Sequence, residues 1–270
     1  MAELIAFVGG GQMAGSLVGG LRAAGHAASR LRVAEPDRAR ADALRREYGI
    51  EVKDSARDIL DGADALVLAV KPQVMREALS GLQPAATTTV VSIAAGIRVD
   101  SLRAWLGDAA PIVRCMPNTP ALLRCGVTGL HAPAGTPERS RQLAEKILGA
   151  VGQTCWLADE ALLDAVTALS GSGPAYYFLL TEALQEAGVA LGLDAATASL
   201  LAERTLVGAG RMADSAGKDV AELRANVTSK GGTTEAAVAH LEKHGLRQLF
   251  ADALRAAQRR SRELGAALAR

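Results

Sequence analysis

A glycine-rich turn near the amino terminus has the residue types and the spacing that bind a dinucleotide. The turn reads Gly9, Gly10, Gly11, Gln12, Met13, Ala14 and Gly15. It follows a short apolar run, Leu4–Val8, and opens a segment of helical character. Gly9 permits a tight turn, and Gly11 lets the backbone approach a pyrophosphate. The free N–H groups and the dipole at the start of the helix would bind its charge, so the motif predicts a dinucleotide site.

An acid at the end of the next apolar run bears on which nicotinamide cofactor binds. Glu35 ends the predicted strand Leu31–Glu35. A carboxylate at that position accepts hydrogen bonds from ribose hydroxyls and repels a 2′-phosphate, which favours NADH. Arg38 and Arg40 favour NADPH instead, because guanidinium groups bind phosphate well. The sequence leaves the choice open, and we expect NADPH with NADH as the alternative.

Two later apolar runs end where a cofactor is expected to lie. They are Ala65–Val70 and Thr89–Ile93, and ligands of open parallel sheets bind outside the carboxyl ends of the strands. Asn118 lies in a loop after a further strand, where its amide can orient a nicotinamide. Besides the glycine turn and Glu35, the expected cofactor positions are Ser55, Ala69, Val70, Lys71, Pro72, Ala94, Ala95, Gly96 and Asn118.

The order of the apolar segments predicts an α/β domain followed by a helical one. Strand and helix signals alternate in the first half, and near-continuous apolar strands are typical of a parallel, doubly wound, Rossmann-like sheet. From about Asp159 the strand signals stop. The helices expected after that point are Glu160–Leu169, Pro174–Leu191, Ala195–Ser215, Val220–Ala225, Glu235–His244 and Leu246–Leu268. We expect domains at residues 1–158 and 159–270, with the boundary within Gln153–Glu160.

The apolar character of two of these helices predicts that a partner subunit covers them. Pro174–Leu191 and Ala195–Ser215 carry few charges on any face, and helices that are apolar nearly all round must be buried. A domain of this size is too small to cover them alone. We therefore expect a homo-oligomer.

The composition argues against several other classes of partner. A net charge of +1 and an aromatic content of 3% give no basis for binding nucleic acid or an acidic membrane surface. No stretch is apolar and long enough to span a bilayer. Three unpatterned cysteines indicate a reducing compartment, so we expect a cytoplasmic protein. His240 and His244 lack the rest of a metal motif, and no metal site is expected.

Five segments of the chain together resemble the pyrroline-5-carboxylate reductases. They run from one end of the chain to the other in the family's order, and the last two are the most specific. One departure is Lys230, where the family commonly has proline. The segments are "FVGGGQMA" at Phe7–Ala14, "AVKPQ" at Ala69–Gln73, "RCMPNTP" at Arg114–Pro120, "SGSGPAYYF" at Ser170–Phe178 and "VTSKGGTTEAA" at Val227–Ala237.

The resemblance implies a fold and a reaction. It implies a Rossmann domain that holds NAD(P)H and an all-helical domain that dimerises; pentamers of dimers also occur in the family. The implied reaction is hydride transfer to the C=N carbon of Δ1-pyrroline-5-carboxylate, which gives L-proline in the last step of proline biosynthesis. The chain would then be an oxidoreductase that acts on a CH–NH bond.

The substrate's chemistry suggests roles for the last two segments. A small cyclic imine with one carboxylate needs an anion clamp and a donor near the imine nitrogen. The expected catalytic residues are Ser229, Thr233 and Thr234, with Thr234 assigned to the ring nitrogen by resemblance. The expected substrate-binding residues are Ser170, Gly171, Ser172, Gly173, Pro174, Lys230, Gly231 and Gly232. Taken alone, both segments also suit plain turns with serine or threonine helix caps.

Three other functions are weighed against this one. A β-hydroxyacid dehydrogenase would carry a catalytic lysine on the helix that here reads "PAYYFLLTEAL", which contains none. A reductase of a different imine could be separated only by assay. A non-catalytic dinucleotide sensor would not need an imine clamp. Because no histidine or lysine acid lies beside the motifs, we expect catalysis mostly by positioning and electrostatics.

Overall fold

The computed structural model describes residues 2–215 and 217–268, which form two compact units. Unit 1 contains the described part of Met1–Ser172 and of Ala257–Arg270, and unit 2 contains Gly173–Ala256. The first unit therefore ends at Ser172 but also includes the end of the last helix. The domain boundary expected after residue 158 lies inside unit 1 on this division.

Within the described residues of unit 1, eight strands form one sheet in the order β3-β2-β1-β4-β5-β6-β7-β8. The first six strands of this order are parallel, β7 is antiparallel to β6, and β8 is parallel to β7. The order 3-2-1-4-5-6 is that of a Rossmann fold, which confirms the predicted class. The strands are β1 Ile5–Val8, β2 Leu31–Ala34, β3 Glu51–Lys53, β4 Ala65–Leu68, β5 Thr89–Ser92, β6 Ile112–Met116, β7 Gly126–His131 and β8 Gly152–Trp156.

Helices cover both faces of this sheet. Successive strand residues point to opposite faces, so Phe7 packs in one core cluster with α1, α2 and α6, whereas Val8 packs in the other with α3, α4 and α5. Burial on both faces explains the near-continuous apolar strands. The helices are α1 Gln12–Ala23, α2 Arg38–Tyr48, α3 Arg57–Leu60, α4 Pro72–Ala78, α5 Val99–Leu106, α6 Glu138–Gly149 and α7 Leu162–Val166.

The segment expected to separate the domains is partly a strand. Sequence analysis places a boundary in Gln153–Glu160, but Gly152–Trp156 is β8 and pairs with β7 along its length. The expected boundary after residue 158 lies beyond the end of β8 and stays a prediction. The strand itself is not expected from the sequence, because β8 is an edge strand with only intermediate and exposed residues and lacks the apolar run that marks the central strands.

Unit 2 is helical throughout its described residues. It contains α8 Gly173–Ala190, α9 Ala195–Ser215, α10 Val220–Asn226, α11 Thr233–Lys243 and the first half of α12 Leu246–Leu268. Helices α8 and α9 pack closely, since a Cβ on Gly188 would lie 3.2 Å from the Cβ of Ala198.

Large apolar side chains cover much of the surface of unit 2. Phe178 is 65% exposed and Leu191 is 87% exposed, which is unusual for side chains of this size. Others exposed on α8 and α9 are Tyr177, Leu179, Leu180, Leu184, Leu200, Leu201 and Met212. Such a surface marks an interface. Among the described helices, none is long and apolar enough to cross a membrane.

Candidate dinucleotide and substrate site

Two glycines of the glycine-rich turn are required by the protein's own packing. Gly9 follows β1 with φ +97°, a backbone conformation that favours glycine, and its N–H donates to the carbonyl of Ala34 at 2.9 Å. A Cβ on Gly9 would lie 2.7 Å from Val70 Cγ1, and one on Gly10 would lie 2.7 Å from Leu44 Cδ1. The turn therefore fits against the carboxyl end of β4 at Gly9 and against α2 at Gly10 only without side chains.

Gly11 is different because the protein leaves space beside it. Apart from Gly11 and its two neighbours in the chain, no described atom lies within 4 Å of the Cβ that a side chain would add there. Gly11 is the N-cap of α1, with no side-chain cap and no acid in the first turn. The first intrahelical bond is from the N–H of Gly15 to Gly11 O at 2.9 Å. The N–H groups of the first turn, at Gln12, Met13 and Ala14, thus have no intrahelical acceptor, which is what a pyrophosphate requires.

Glu35 lies buried behind this turn. One carboxylate oxygen accepts the N–H of Gly10 at 2.9 Å, and the other accepts the N–H of Asp37 at 2.9 Å. The side chain is 5% exposed, and the Arg40 guanidinium lies 3.7 Å from Oε1. Sequence analysis expects this carboxylate at a ribose. In the structure it joins the turn after β1 to the turn after β2.

Two arginines begin the helix that follows Glu35. Asp37 caps α2 by accepting the N–H of Arg40 at 2.9 Å, and this bond holds the pKa of Asp37 below its ordinary value. Arg38 and Arg40 occupy the first turn and are exposed, with 58% of the Arg40 side chain accessible. The Arg40 guanidinium also lies 3.6 Å from Asp37 Oδ2, so its charge is shared with two carboxylates while its side chain remains accessible.

The residues after β4 and β5 lie where the sequence predicts. The Ala69 N–H donates to Val8 O at 2.9 Å, so Ala69 and Val70 lie beside the glycine turn. Lys71 is exposed and caps α4, whose first residue is Pro72. Ala94, Ala95 and Gly96 follow β5. Ser55 follows the edge strand β3, and its hydroxyl accepts the Arg57 N–H at 3.3 Å.

Asn118 joins the loop after β6 to the serine turn, residues 170–174. Its Oδ1 accepts the Val127 N–H at 2.9 Å, and its Nδ2 donates to the carbonyl of Ser170 at 3.2 Å. The structure therefore brings Asn118 and Ser170 together, although sequence analysis gives them separate roles. With both ends of its amide bonded to the protein, Asn118 holds this loop in place.

The serine turn ends unit 1 in a π-helical segment, Thr167–Gly171. The Ser170 hydroxyl donates to Val166 O at 3.1 Å, and a Cβ on Gly171 would lie 2.6 Å from Met116 Cε. The N–H of Ser172 donates to Thr167 O at 2.9 Å. Single π turns inside helices are frequent at functional sites. Gly173 and Pro174 then start α8 in unit 2.

The glycine pair of unit 2 forms a tight turn that opens α11. Gly231 has φ +74°, and its N–H donates to the carboxylate of Glu235 at 2.7 Å. Gly232 caps α11, and its N–H donates to Ser229 O at 3.0 Å. Lys230 is exposed in the same turn. An N–H that already binds one carboxylate has the position and polarity to bind another.

Both threonines belong to the helix itself. Sequence analysis expects the helix to begin at Glu235, but Thr233 and Thr234 are its first two residues. Thr233 is exposed and Thr234 is half-buried. Their N–H groups lie in the first turn, which adds donors to those of the glycine pair.

One buried ion pair was missed by sequence analysis. Arg114 in β6 is 6% exposed and donates to Glu160 Oε1 at 2.8 Å; the Val99 N–H donates to the same oxygen at 2.8 Å. An arginine inside the apolar strand "PIVRC" signals a buried partner, since buried charges are almost always paired. The sequence does not say which acid supplies it.

Burial alone would raise the pKa of Glu160, but its hydrogen bonds to Val99 and Arg114 and the nearby Arg98 lower that pKa below its ordinary value of 4.5. A lowered pKa in the folded state adds stability above about pH 4.5 that is lost as the pH falls through the folded value. We expect Glu160→Gln to destabilise the protein at about pH 7 and to differ less from the wild type towards about pH 3. Urea midpoints at fixed protein concentration measure this. A difference that stays constant with pH contradicts it.

The fold and the glycine-rich turn define a nicotinamide-dependent oxidoreductase. Residues 160–264 match the family described as pyrroline-5-carboxylate reductase dimerisation, and residues 4–96 match the family described as NADP oxidoreductase, coenzyme F420-dependent. The cofactor is NAD(P)H. Within the described residues, no group of three or more His, Cys, Asp or Glu side chains could hold a metal ion.

Several pyrroline-5-carboxylate reductases match nearly the full length of the chain. The pyrroline-5-carboxylate reductase of Pseudomonas aeruginosa is 49% identical over 96% of this chain and 96% of its own. The solved pyrroline-5-carboxylate reductase of Coxiella burnetii is 42% identical with a TM-score of 0.93, over 98% of this chain and 99% of its own. That of Plasmodium falciparum, solved with NADP bound, is 27% identical with a TM-score of 0.82, over 97% of this chain and 98% of its own. The chain belongs to the pyrroline-5-carboxylate reductase family.

Proposed function

We propose that NADPH binds at the glycine-rich turn and that its hydride passes to the C=N carbon of Δ1-pyrroline-5-carboxylate, giving L-proline. The observation that carries the cofactor site is the open space beside Gly11, at a helix start whose first N–H groups have no intrahelical acceptor. The family supplies the substrate and the reaction. Membership of this family also argues against the two alternative functions, a β-hydroxyacid dehydrogenase and a non-catalytic dinucleotide sensor.

Contacts around Glu35 favour NADPH over NADH. Its carboxylate accepts two backbone N–H groups and lies near Arg40, so it is held inside the protein and partly compensated. A free carboxylate at this position would repel a 2′-phosphate, but this one is engaged. Arg38 and Arg40 remain exposed, and guanidinium groups suit a phosphate. The relative solved with NADP bound is in keeping with this preference.

The turn Ser229–Thr234 is proposed to bind the substrate. The substrate carboxylate takes the place of the Glu235 carboxylate at the Gly231 N–H, beside Gly232 and the first-turn N–H groups of α11. The charge of Lys230 and the hydroxyls of Ser229 and Thr233 lie in the same turn. Thr234 is assigned to the ring nitrogen, and its hydroxyl oxygen can accept the N–H of the protonated imine. Ser170, Gly171, Ser172, Gly173 and Pro174 are also assigned to substrate binding.

The reaction does not require a strong general acid or base from the protein. The protonated imine is already electrophilic, so a hydride adds to its carbon and the electron pair of the C=N bond moves to nitrogen, which keeps its proton. NADPH supplies the hydride when bound. The chain's own residues then act by orienting the ring and by stabilising charge at the carboxylate and the nitrogen.

The helical part is proposed as a dimerisation and substrate domain, residues 159–270. The exposed apolar side chains of α8 and α9 support at least a homodimer, as does the family match over residues 160–264. A pentamer of dimers remains a prediction from the resemblance. A cytoplasmic location remains a prediction from the sparse cysteines, and neither a nucleic acid nor a membrane is proposed as a partner.

The direct test is a steady-state assay of NADPH and NADH oxidation with Δ1-pyrroline-5-carboxylate. We expect oxidation to require the imine and kcat/KM to be higher with NADPH, because the exposed arginines bind the 2′-phosphate. A 3-hydroxy acid with the oxidised cofactor is the control. Turnover of the 3-hydroxy acid together with none of the imine would overturn the proposal, and a preference for NADH would overturn the cofactor assignment.

Thr234→Ala should lower kcat about 100-fold, because it removes the hydroxyl proposed to hydrogen-bond the nitrogen where charge changes in the reaction. Thr234→Ser keeps the hydroxyl and is the matched control, with activity near that of the wild type. NADPH affinity, measured by calorimetry, should stay unchanged in both variants. Loss of cofactor binding in Thr234→Ala would show that the residue has another role.

A further inference from the structure

The loop after β5 and the last helix approach each other at two glycines. Gly96 has φ +79°, and a Cβ on it would lie 3.2 Å from the Cα of Gly265 in α12. A Cβ on Gly265 would lie 2.9 Å from Gly96 O, shorter than ordinary carbon–oxygen contacts of about 3.3 Å. Both residues belong to unit 1. Neither position accepts a side chain without a shift of the loop or the helix.

A buried carboxylate joins the same two segments a few residues away. Asp164 in α7 accepts the Ser261 hydroxyl of α12 at 2.7 Å, and both side chains are buried, with Asp164 8% and Ser261 6% exposed. Its other oxygen lies 3.6 Å from the Arg98 guanidinium and 3.8 Å from that of Arg262. Asp164 therefore links α12 to the residues that directly follow Gly96.

The far end of the loop is fixed as well. Glu160 accepts the Val99 N–H at the start of α5 and pairs with Arg114 in β6. The cofactor loop, Ala94–Gly96, is thus held between β5 on one side and contacts to α7 and α12 on the other. Cofactor loops that must place a ring to within a fraction of an ångström need supports of this kind.

We propose that the carboxyl-terminal segment of α12, residues 257–268, positions the cofactor loop, and that Gly265 and Ser261 are positioning residues for NADPH. The inference rests on the proposed function, since Ala94–Gly96 are assigned to the cofactor there. A glycine inside a helix lowers helix stability relative to alanine, and at Gly265 a packing requirement offsets this cost. At Gly265 that requirement is the backbone of the cofactor loop.

Gly265→Ala is the main test, because it favours the helix while its Cβ pushes on Gly96 O. We expect the Kd for NADPH and its KM to rise about tenfold. The KM for Δ1-pyrroline-5-carboxylate should stay within about twofold of the wild type. Gly149→Ala is the matched control, since Gly149 is also a helical glycine but no described atom lies within 4 Å of its added Cβ. It should leave both constants unchanged.

Ser261→Ala tests the same link without adding an atom. It removes the hydrogen bond to Asp164, and we expect a smaller rise in the Kd for NADPH, about threefold. An unchanged Kd in Gly265→Ala, or an equal rise in the KM of both substrates, would overturn the inference. Wild-type protein that fails to bind NADPH in the same titration would instead overturn the proposed function.

Discussion

The buried carboxylate of Glu35 is the contact on which the cofactor half depends. It accepts the N–H of Gly10 and the N–H of Asp37, so it fixes the turn after β1 against the turn after β2. Because Gly9 and Gly10 have no room for side chains, the turn has one way to fit, and that fit sets where α1 begins. The helix start that remains open at Gly11 follows from this packing.

The two units carry different parts of the proposed function. Unit 1 presents the glycine turn, the exposed arginines of α2 and the loops after β4 and β5 at the carboxyl edge of its sheet. Unit 2 supplies a turn in which the Gly231 N–H binds the Glu235 carboxylate, and helices α8 and α9 that expose large apolar side chains. Oligomerisation, which the match to a dimerisation family supports, would stabilise the fold by removing this apolar surface from water.

Much of the fold could be predicted from the sequence. The bounds of α9 and α12 match the expected Ala195–Ser215 and Leu246–Leu268, since long alanine-rich helices have strong local signals. Edge strand β8 could not be predicted, because its pairing depends on β7 rather than on an apolar run. Within the site, the position of Glu35 at the end of β2 could be predicted. Its hydrogen bonds to the N–H groups of Gly10 and Asp37 could not, because they depend on the tertiary structure. The contact between Gly96 and Gly265 joins residues far apart in the chain and leaves no local pattern.

The central claim is that the space beside Gly11 receives the cofactor's phosphates, and a titration of NADPH into Gly11→Ala tests it most directly. The added Cβ meets no described atom, so the free energy of unfolding should change by no more than about 1 kcal/mol, the usual cost of alanine at an N-cap. The account predicts that the Kd for NADPH nonetheless rises at least about tenfold, because the methyl group takes the space of a phosphate. An unchanged Kd in a stably folded variant would contradict it.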